Sequence, residues 1–208
     1  MKKGVLITFE GIDGSGKSVQ SVRLLNHLKD SGREAILLRE PGSSSISEKI
    51  RAILLDSTHS EMTPTAELLL YEAARAQLVE EVIIPEIQKG HVVICDRFYD
   101  STTAYQGYGR QFDLSAIHQA NQLGSRGLTP DRTYILDVSL EESSNRLDQS
   151  SGKRDRMESQ DVLFFERVRE GYRKLAEASP DRVRLLDGHR SVELLEQEIV
   201  ADVKLLLV

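Results

Sequence analysis

Residues 11 to 18 read Gly-Ile-Asp-Gly-Ser-Gly-Lys-Ser and match the spacing G-x-x-x-x-G-K-[ST]. Each fixed position has a physical task. Gly11, Gly14 and Gly16 let the backbone curl with its amides inward, some at φ values that a side chain would forbid. Those amides, with Ile12, Asp13 and Ser15 between the glycines, and the start of a following helix form a nest for phosphate oxygens. Lys17 reaches toward the β- and γ-phosphates of a nucleoside triphosphate, and the Ser18 hydroxyl is a ligand for Mg²⁺. The motif implies binding and cleavage of a nucleoside triphosphate and leaves the acceptor open.

Asp96-Arg97 is the second chemical signal. It directly follows the apolar run Val92-Val-Ile-Cys95. In open parallel sheets, ligands bind at the carboxyl ends of the strands. An aspartate there can hold Mg²⁺ or a metal-bound water. Arg97 offers phosphate a planar fork of donors. Tyr71 and Arg75 are spaced to share one helix face.

These residues need a scaffold. Strand patterns lie at about 4–10, 35–39, 91–96, 132–138 and 183–187. Helical patterns separate them at about 17–30, 46–55, 65–89, 98–106, 114–126, 140–148, 161–178 and 191–206, with Pro85 expected to end or bend the third. Alternation of this kind predicts a parallel sheet covered on both faces. Val22, Leu25 and Leu28 make an apolar stripe on the first helix, Phe165, Val168, Tyr172 and Leu175 on the seventh, and Leu195, Ile199, Val203 and Leu206 on the last. The stripes are expected to be core. No linker divides residues 1–208, so one domain is expected. The polar stretch Gln149 to Ser159 has the composition of a mobile lid.

Composition narrows the class. Of the 208 residues, 39% are hydrophobic and 29% charged, as in soluble globular proteins. No run approaches the ~20 apolar residues needed to span a bilayer, and the start lacks a signal-peptide pattern. The 33 acids and 27 bases leave a net charge of −6, which argues against nucleic acid as a partner. The single cysteine, Cys95, excludes an intramolecular disulfide and is expected to be a buried thiol. A cytoplasmic setting, away from membranes, fits this usage.

The stretch Asp96-Arg-Phe-Tyr-Asp-Ser-Thr-Thr-Ala-Tyr-Gln-Gly107 resembles the thymidylate kinase family of nucleoside-monophosphate kinases. Arg39-Glu-Pro-Gly42, Tyr71-Glu-Ala-Ala-Arg75-Ala-Gln77, Leu136-Asp-Val138 with Arg146, and Asp155-Arg-Met-Glu158 match the family in order, so the likeness spans about residues 4 to 180. The resemblance implies the three-layer α/β fold of P-loop NTPases, a five-stranded parallel sheet flanked by helices with a lid at about 149–159. It implies transfer of the ATP γ-phosphate to dTMP, Mg²⁺ as cofactor, and a homodimer. In that scheme Tyr71 stacks on thymine and Arg75 donates to a ring carbonyl, which disfavours cytosine. Thr102 and Gln106 touch the base, and Tyr105 crowds a ribose 2′-hydroxyl. Arg39, Arg51 and Arg97 hold the acceptor phosphate, and Pro41 and Ser101 also belong to the substrate site. Asp13 lies near the sugar 3′-hydroxyl or the metal, Ser18 and Asp96 serve the metal, and Arg146 stacks on adenine. Ser43 stands where the family commonly has glycine. One subgroup of the family carries a basic residue among the variable positions of the phosphate loop, and the other carries it in the lid. Those positions here, Ile12, Asp13, Gly14 and Ser15, hold none, so Lys153 or Arg154 of the lid is expected to join Lys17 and Arg97 on the transferring group. Another nucleoside-monophosphate kinase of the same fold is the nearest alternative. A P-loop ATPase switch is a more distant one, and no Asn-Lys-x-Asp segment for a guanine switch occurs.

Overall fold

The computed structural model describes residues 4–149 and 155–207. Five strands, β1 (Val5–Glu10), β2 (Ala35–Arg39), β3 (Val92–Asp96), β4 (Arg132–Asp137) and β5 (Val183–Asp187), form one parallel sheet in the order β2-β3-β1-β4-β5. β1 is central and buried along its whole length, so it is apolar on both faces rather than alternating. Val5, Ile7 and Phe9 pack toward Leu24, Leu28, Leu195 and Ile199 of helices α1 (Lys17–Asp30) and α9 (Val192–Leu206). On the opposite face Leu6 joins Val93, Cys95, Leu78 and Ile83. Cys95 is a buried free thiol there.

The remaining helices are α2 (Ser45–Leu55), α3 (Pro64–Leu78), α4 (Ile84–Gln88), α5 (Tyr99–Thr102), α6 (Leu114–Gly124), α7 (Leu140–Gln149) and α8 (Val162–Ala178). Local chemistry starts several of them. Ser44, Thr63, Asp161 and Ser191 cap α2, α3, α8 and α9 through side-chain oxygens that accept first-turn amides. Pro64 adds a fixed φ to the first turn of α3.

Pro85 does not end its helix. α3 widens into a π turn over Val79–Ile83, where the Ile84 amide donates to the Val79 carbonyl, and then continues as α4. The wider turn accommodates a residue that lacks an N–H and would crowd the carbonyl four residues back. A second π segment, Thr103–Gly109, extends α5. On α1 the expected stripe is displaced. Val22 is 45% exposed, and Gln20, Ser21, Leu24 and Leu28 face inward. On α8 the buried line is Phe164, Val168, Tyr172 and Ala176, with Phe165 and Leu175 at its margin. The α9 stripe matches expectation, with Leu206 partly buried.

Of the expected lid, residues 150–154, including Lys153 and Arg154, lie outside the described residues. Residues 155–159 form a turn fastened to the body. Arg156 Nε donates to the Leu54 carbonyl, and the Asp155 carboxylate accepts the Met157 and Glu158 amides. Arg156, inside the expected lid stretch, is buried in an ion pair with Glu67.

Candidate active site

The site is built where β1, β2 and β3 end together. Phe9 and Arg39 both pair with Asp96, and the Glu40 amide donates to the Asp96 carbonyl. The glycine loop runs from β1 into α1. Gly14 has φ 73°, and a Cβ there would lie 2.7 Å from the Ser143 carbonyl oxygen. Gly11, at φ 135°, would place a Cβ 2.6 Å from the Leu136 carbonyl oxygen. Larger residues are excluded at both positions by backbone, not by side chains that could move. Ile12 and Ser15 are buried, and Gly16 caps α1 at its N-terminus.

Lys17 is buried, with Nζ 3.4 Å from Asp13 Oδ1. The Ser18 hydroxyl donates to Asp96 Oδ2 in a short hydrogen bond. Asp96 Oδ1 is buried without a partner. A hydroxyl and a carboxylate with an unused oxygen suit a hard, oxygen-seeking cation such as Mg²⁺. No cluster of three or more His, Cys, Asp or Glu placed to hold a metal occurs among the described residues.

Arg97 follows β3 with φ 73°, a left-handed conformation rare outside glycine, and its amide donates to the Phe9 carbonyl. The turn aims the guanidinium at the loop. NH2 donates to Asp13 at 2.7 Å and to the Tyr105 hydroxyl at 3.2 Å, and NH1 to Ser101 and Tyr172. Burial would raise the Asp13 carboxyl, but the charges of Arg97 and Lys17 outweigh it and hold Asp13 well below the usual carboxylate range.

Beside this pair lies a cleft of about 600 Å³. It brings together ten residues expected from sequence: Asp13, Pro41, Arg51, Tyr71, Arg75, Arg97, Ser101, Thr102, Tyr105 and Gln106. Arg75 is 2% exposed and donates to Glu40 at 2.8 Å, Glu72 at 2.5 Å and Thr102 at 3.0 Å. These bonds use three of the five guanidinium donors and leave others for a ligand carbonyl. Arg51 NH1 donates to the Pro41 carbonyl. Burial, followed by the nearby charge of Arg39, lowers the Arg51 pKa. Arg39 is not in the cleft wall. Its side chain is half exposed and paired with Glu48 at 3.0 Å. Ser43 adopts φ 65°, the conformation glycine prefers, and its hydroxyl is bonded to the Arg39 amide. Arg146 lies over the loop, donating to the carbonyls of Gly14, Ser15 and Gly188.

Sequence reasoning missed Glu10, Glu40, Leu55, Phe98, Asp155, Met157 and Tyr172. Glu10 and Glu40 lie at strand ends, and the rule that singled out Asp96 could have found them. Glu10 is fully buried. It accepts the Phe98 amide at 2.7 Å, the Ser101 hydroxyl at 2.5 Å and the Tyr172 hydroxyl at 2.9 Å. Burial first, then the charge of Asp100, push its carboxyl up to about 7. Glu40 is likewise pushed up to about 7 by burial, against the pull of Arg75. Tyr172 was expected to be core only. Its ring is core, but its hydroxyl belongs to the Arg97 network.

A glycine cradle with a buried lysine and a serine–aspartate pair, opening onto an arginine-lined cleft on a β2-β3-β1-β4-β5 parallel sheet, defines a P-loop kinase. The class is a phosphotransferase moving a nucleotide phosphoryl group to a small acceptor. The chain belongs to the thymidylate kinase family: the family model described as thymidylate kinase matches residues 9–199. It is 44% identical to a thymidylate kinase from an Exiguobacterium species, covering 95% of this chain and 92% of that one. It is 48% identical to the thymidylate kinase of Geotalea daltonii, covering 91% and 92%. The crystal structure of thymidylate kinase from Ehrlichia chaffeensis superposes with a TM-score of 0.78 at 33% identity, covering 97% of this chain and 99% of that one. The chain is accordingly an ATP-dependent nucleoside-monophosphate kinase.

Proposed function

We propose that this chain transfers the γ-phosphate of ATP to dTMP, giving dTDP and ADP. One observation carries the reading. A single cleft holds Tyr71, Arg75, Thr102 and Gln106 together with Arg51 and Arg97, and Asp13 in its wall is also part of the phosphate loop. A pyrimidine lying against Tyr71 with a ring carbonyl toward Arg75 would direct its phosphate to Arg97 and Arg51, beside the loop that holds the donor. Tyr105, buried next to Asp13, would occupy the space of a 2′-hydroxyl.

The acceptor phosphate is already anionic at neutral pH, so positioning and charge stabilisation suffice and no general base is required. Lys17 would follow the charge on the transferring group. Arg146 would face adenine from its seat over the loop. Lys153 or Arg154 would close over the phosphoryl group as the lid cation, a role worth about 10³–10⁵ in rate where such a finger operates. Mg²⁺, held by Ser18 and Asp96, would neutralise phosphate charge when bound. Arg39 would serve the acceptor phosphate only by exchanging Glu48 for it.

A homodimer in the cytoplasm is part of this proposal. α3 and α6 pack side by side and expose Leu69 and Leu123, apolar area that a second copy would cover. No helix among the described residues is long and apolar enough to cross a membrane. The deciding experiment is steady-state phosphorylation of dTMP, dUMP, dCMP and thymidine. The expected order places dTMP first by kcat/KM. Preference for thymidine would overturn the assignment, because Arg51 and Arg97 would then have no acceptor phosphate to hold.

A further inference from the structure

Gln106 lines the acceptor cleft and is almost fully buried. Its Nε2 donates to Glu67 Oε1 at 2.8 Å. Glu67 lies on α3, one turn before Tyr71, and is 1% exposed. It also accepts Arg110 Nε at 3.2 Å, Arg110 NH2 at 3.0 Å and Arg156 NH1 at 2.6 Å. Burial would raise the Glu67 carboxyl, but hydrogen bonds led by Arg110 and Gln106 keep it below its ordinary value. Glu67 is therefore ionised at neutral pH, and an ionised carboxylate accepts and cannot donate. An amide beside it has one satisfied orientation, with NH₂ toward Glu67 and the carbonyl oxygen turned away.

We infer that Glu67 is a positioning residue for base selection, locking Gln106 so that it presents an acceptor to the nucleotide cleft. The inference rests on the cleft being a pyrimidine monophosphate site. Thymine and uracil carry an N3–H donor between two carbonyls. Cytosine has a bare N3 acceptor and an exocyclic amine. Arg75 donating and Gln106 accepting match the thymine edge, and both oppose the cytosine edge. Two mismatched buried pairs discriminate far more strongly than one. The same carboxylate holds Arg156, so the base pocket and the turn after residue 154 share one anchor.

Glu67→Gln keeps the shape but can donate, so Gln106 loses its fixed sense. Gln106→Met keeps the volume and removes the acceptor. The measurement is kcat/KM for dTMP and dCMP in wild type, each single variant and the double variant. The dTMP/dCMP ratio is expected to fall about tenfold or more in each single variant, with no further fall in the double. A merely structural role for Glu67 would lower both substrates together and leave the ratio intact. An unchanged ratio in Glu67→Gln, or losses that multiply in the double variant, overturns the inference. If Glu67→Gln does not fold, Gln106→Met decides: an unchanged ratio there overturns it as well. Wild-type enzyme that ignores dTMP would instead refute the proposed function, an outcome visible before any variant is made.

Discussion

Lys17 and Arg75 are both buried cations of the proposed site, but the structure separates what their loss would do. Lys17 has one nearby carboxylate and sits at the loop, so Lys17→Ala is expected to lower kcat by about 10²–10³ with little change in melting temperature. Near-normal turnover would remove it from the mechanism. Arg75 sits between two buried glutamates. Arg75→Ala is expected to raise the KM for dTMP and relax base choice. It is also expected to destabilise the fold by about 3–5 kcal/mol, since a broken buried pair leaves charge uncompensated. Urea denaturation beside the kinetics separates the two effects. Glu10 and Glu40 set a pH dependence. Burial pushes both carboxyls up from the ordinary 4.5 to about 7, so the folded state holds protons that the unfolded chain has released. Their contribution to stability therefore falls as pH rises from 4.5 to about 7 and is flat above. The melting temperature should drop between pH 5 and pH 7.5 by calorimetry, and Glu10→Gln should flatten that slope.

The phosphate loop was legible because its residues are contiguous and each acts through local backbone geometry. α9 was legible for a similar reason: a regular stripe on an outer helix faces one core, shared by the sheet and α1. The α1 stripe was displaced because α1 packs beside the loop and buries polar Gln20 and Ser21, which hydrophobic periodicity cannot register. The π segment Thr103–Gly109 shows how an element places a site residue. It carries Tyr105 and Gln106, and it is pressed against α8 where Gly171 meets Tyr108. A Cβ at Gly171 would come 2.8 Å from Tyr108 Cγ and 2.9 Å from its Cβ, atoms too near the backbone to swing aside. Gly171→Ala is expected to cost about 1–3 kcal/mol by overpacking and to raise the KM for dTMP by shifting Tyr105. A melting temperature equal to wild type would contradict that packing.

The whole molecule presents the cleft proposed for the acceptor at the carboxyl ends of its strands, with Arg51, Arg75 and Arg97 held by internal partners. dTMP alone should therefore bind without ATP and raise the melting temperature. At 100 times Kd the gain is about 2.7 kcal/mol, or roughly 5–10 °C for a chain of this size. EDTA should abolish turnover and leave this shift intact, because Ser18 and Asp96 lie outside the cleft. Loss of the dTMP shift in EDTA would place the metal in acceptor binding instead.

Residue order alone established the alternating α/β plan, the glycine cradle and the strand-end aspartate, since these depend on local torsions and short periods. Only folding determined which charges face each other. Glu10, Glu67 and Tyr172 come from three separate elements; Glu10 is marked only by its place at a strand end, and nothing in the immediate neighbours of Glu67 and Tyr172 in the chain marks them as site residues. Their roles arise from being stripped of water and brought within hydrogen-bond reach of Ser101, Gln106 and Arg97. Desolvation and long-range contact are properties of the packed chain, so these partnerships became visible only in three dimensions.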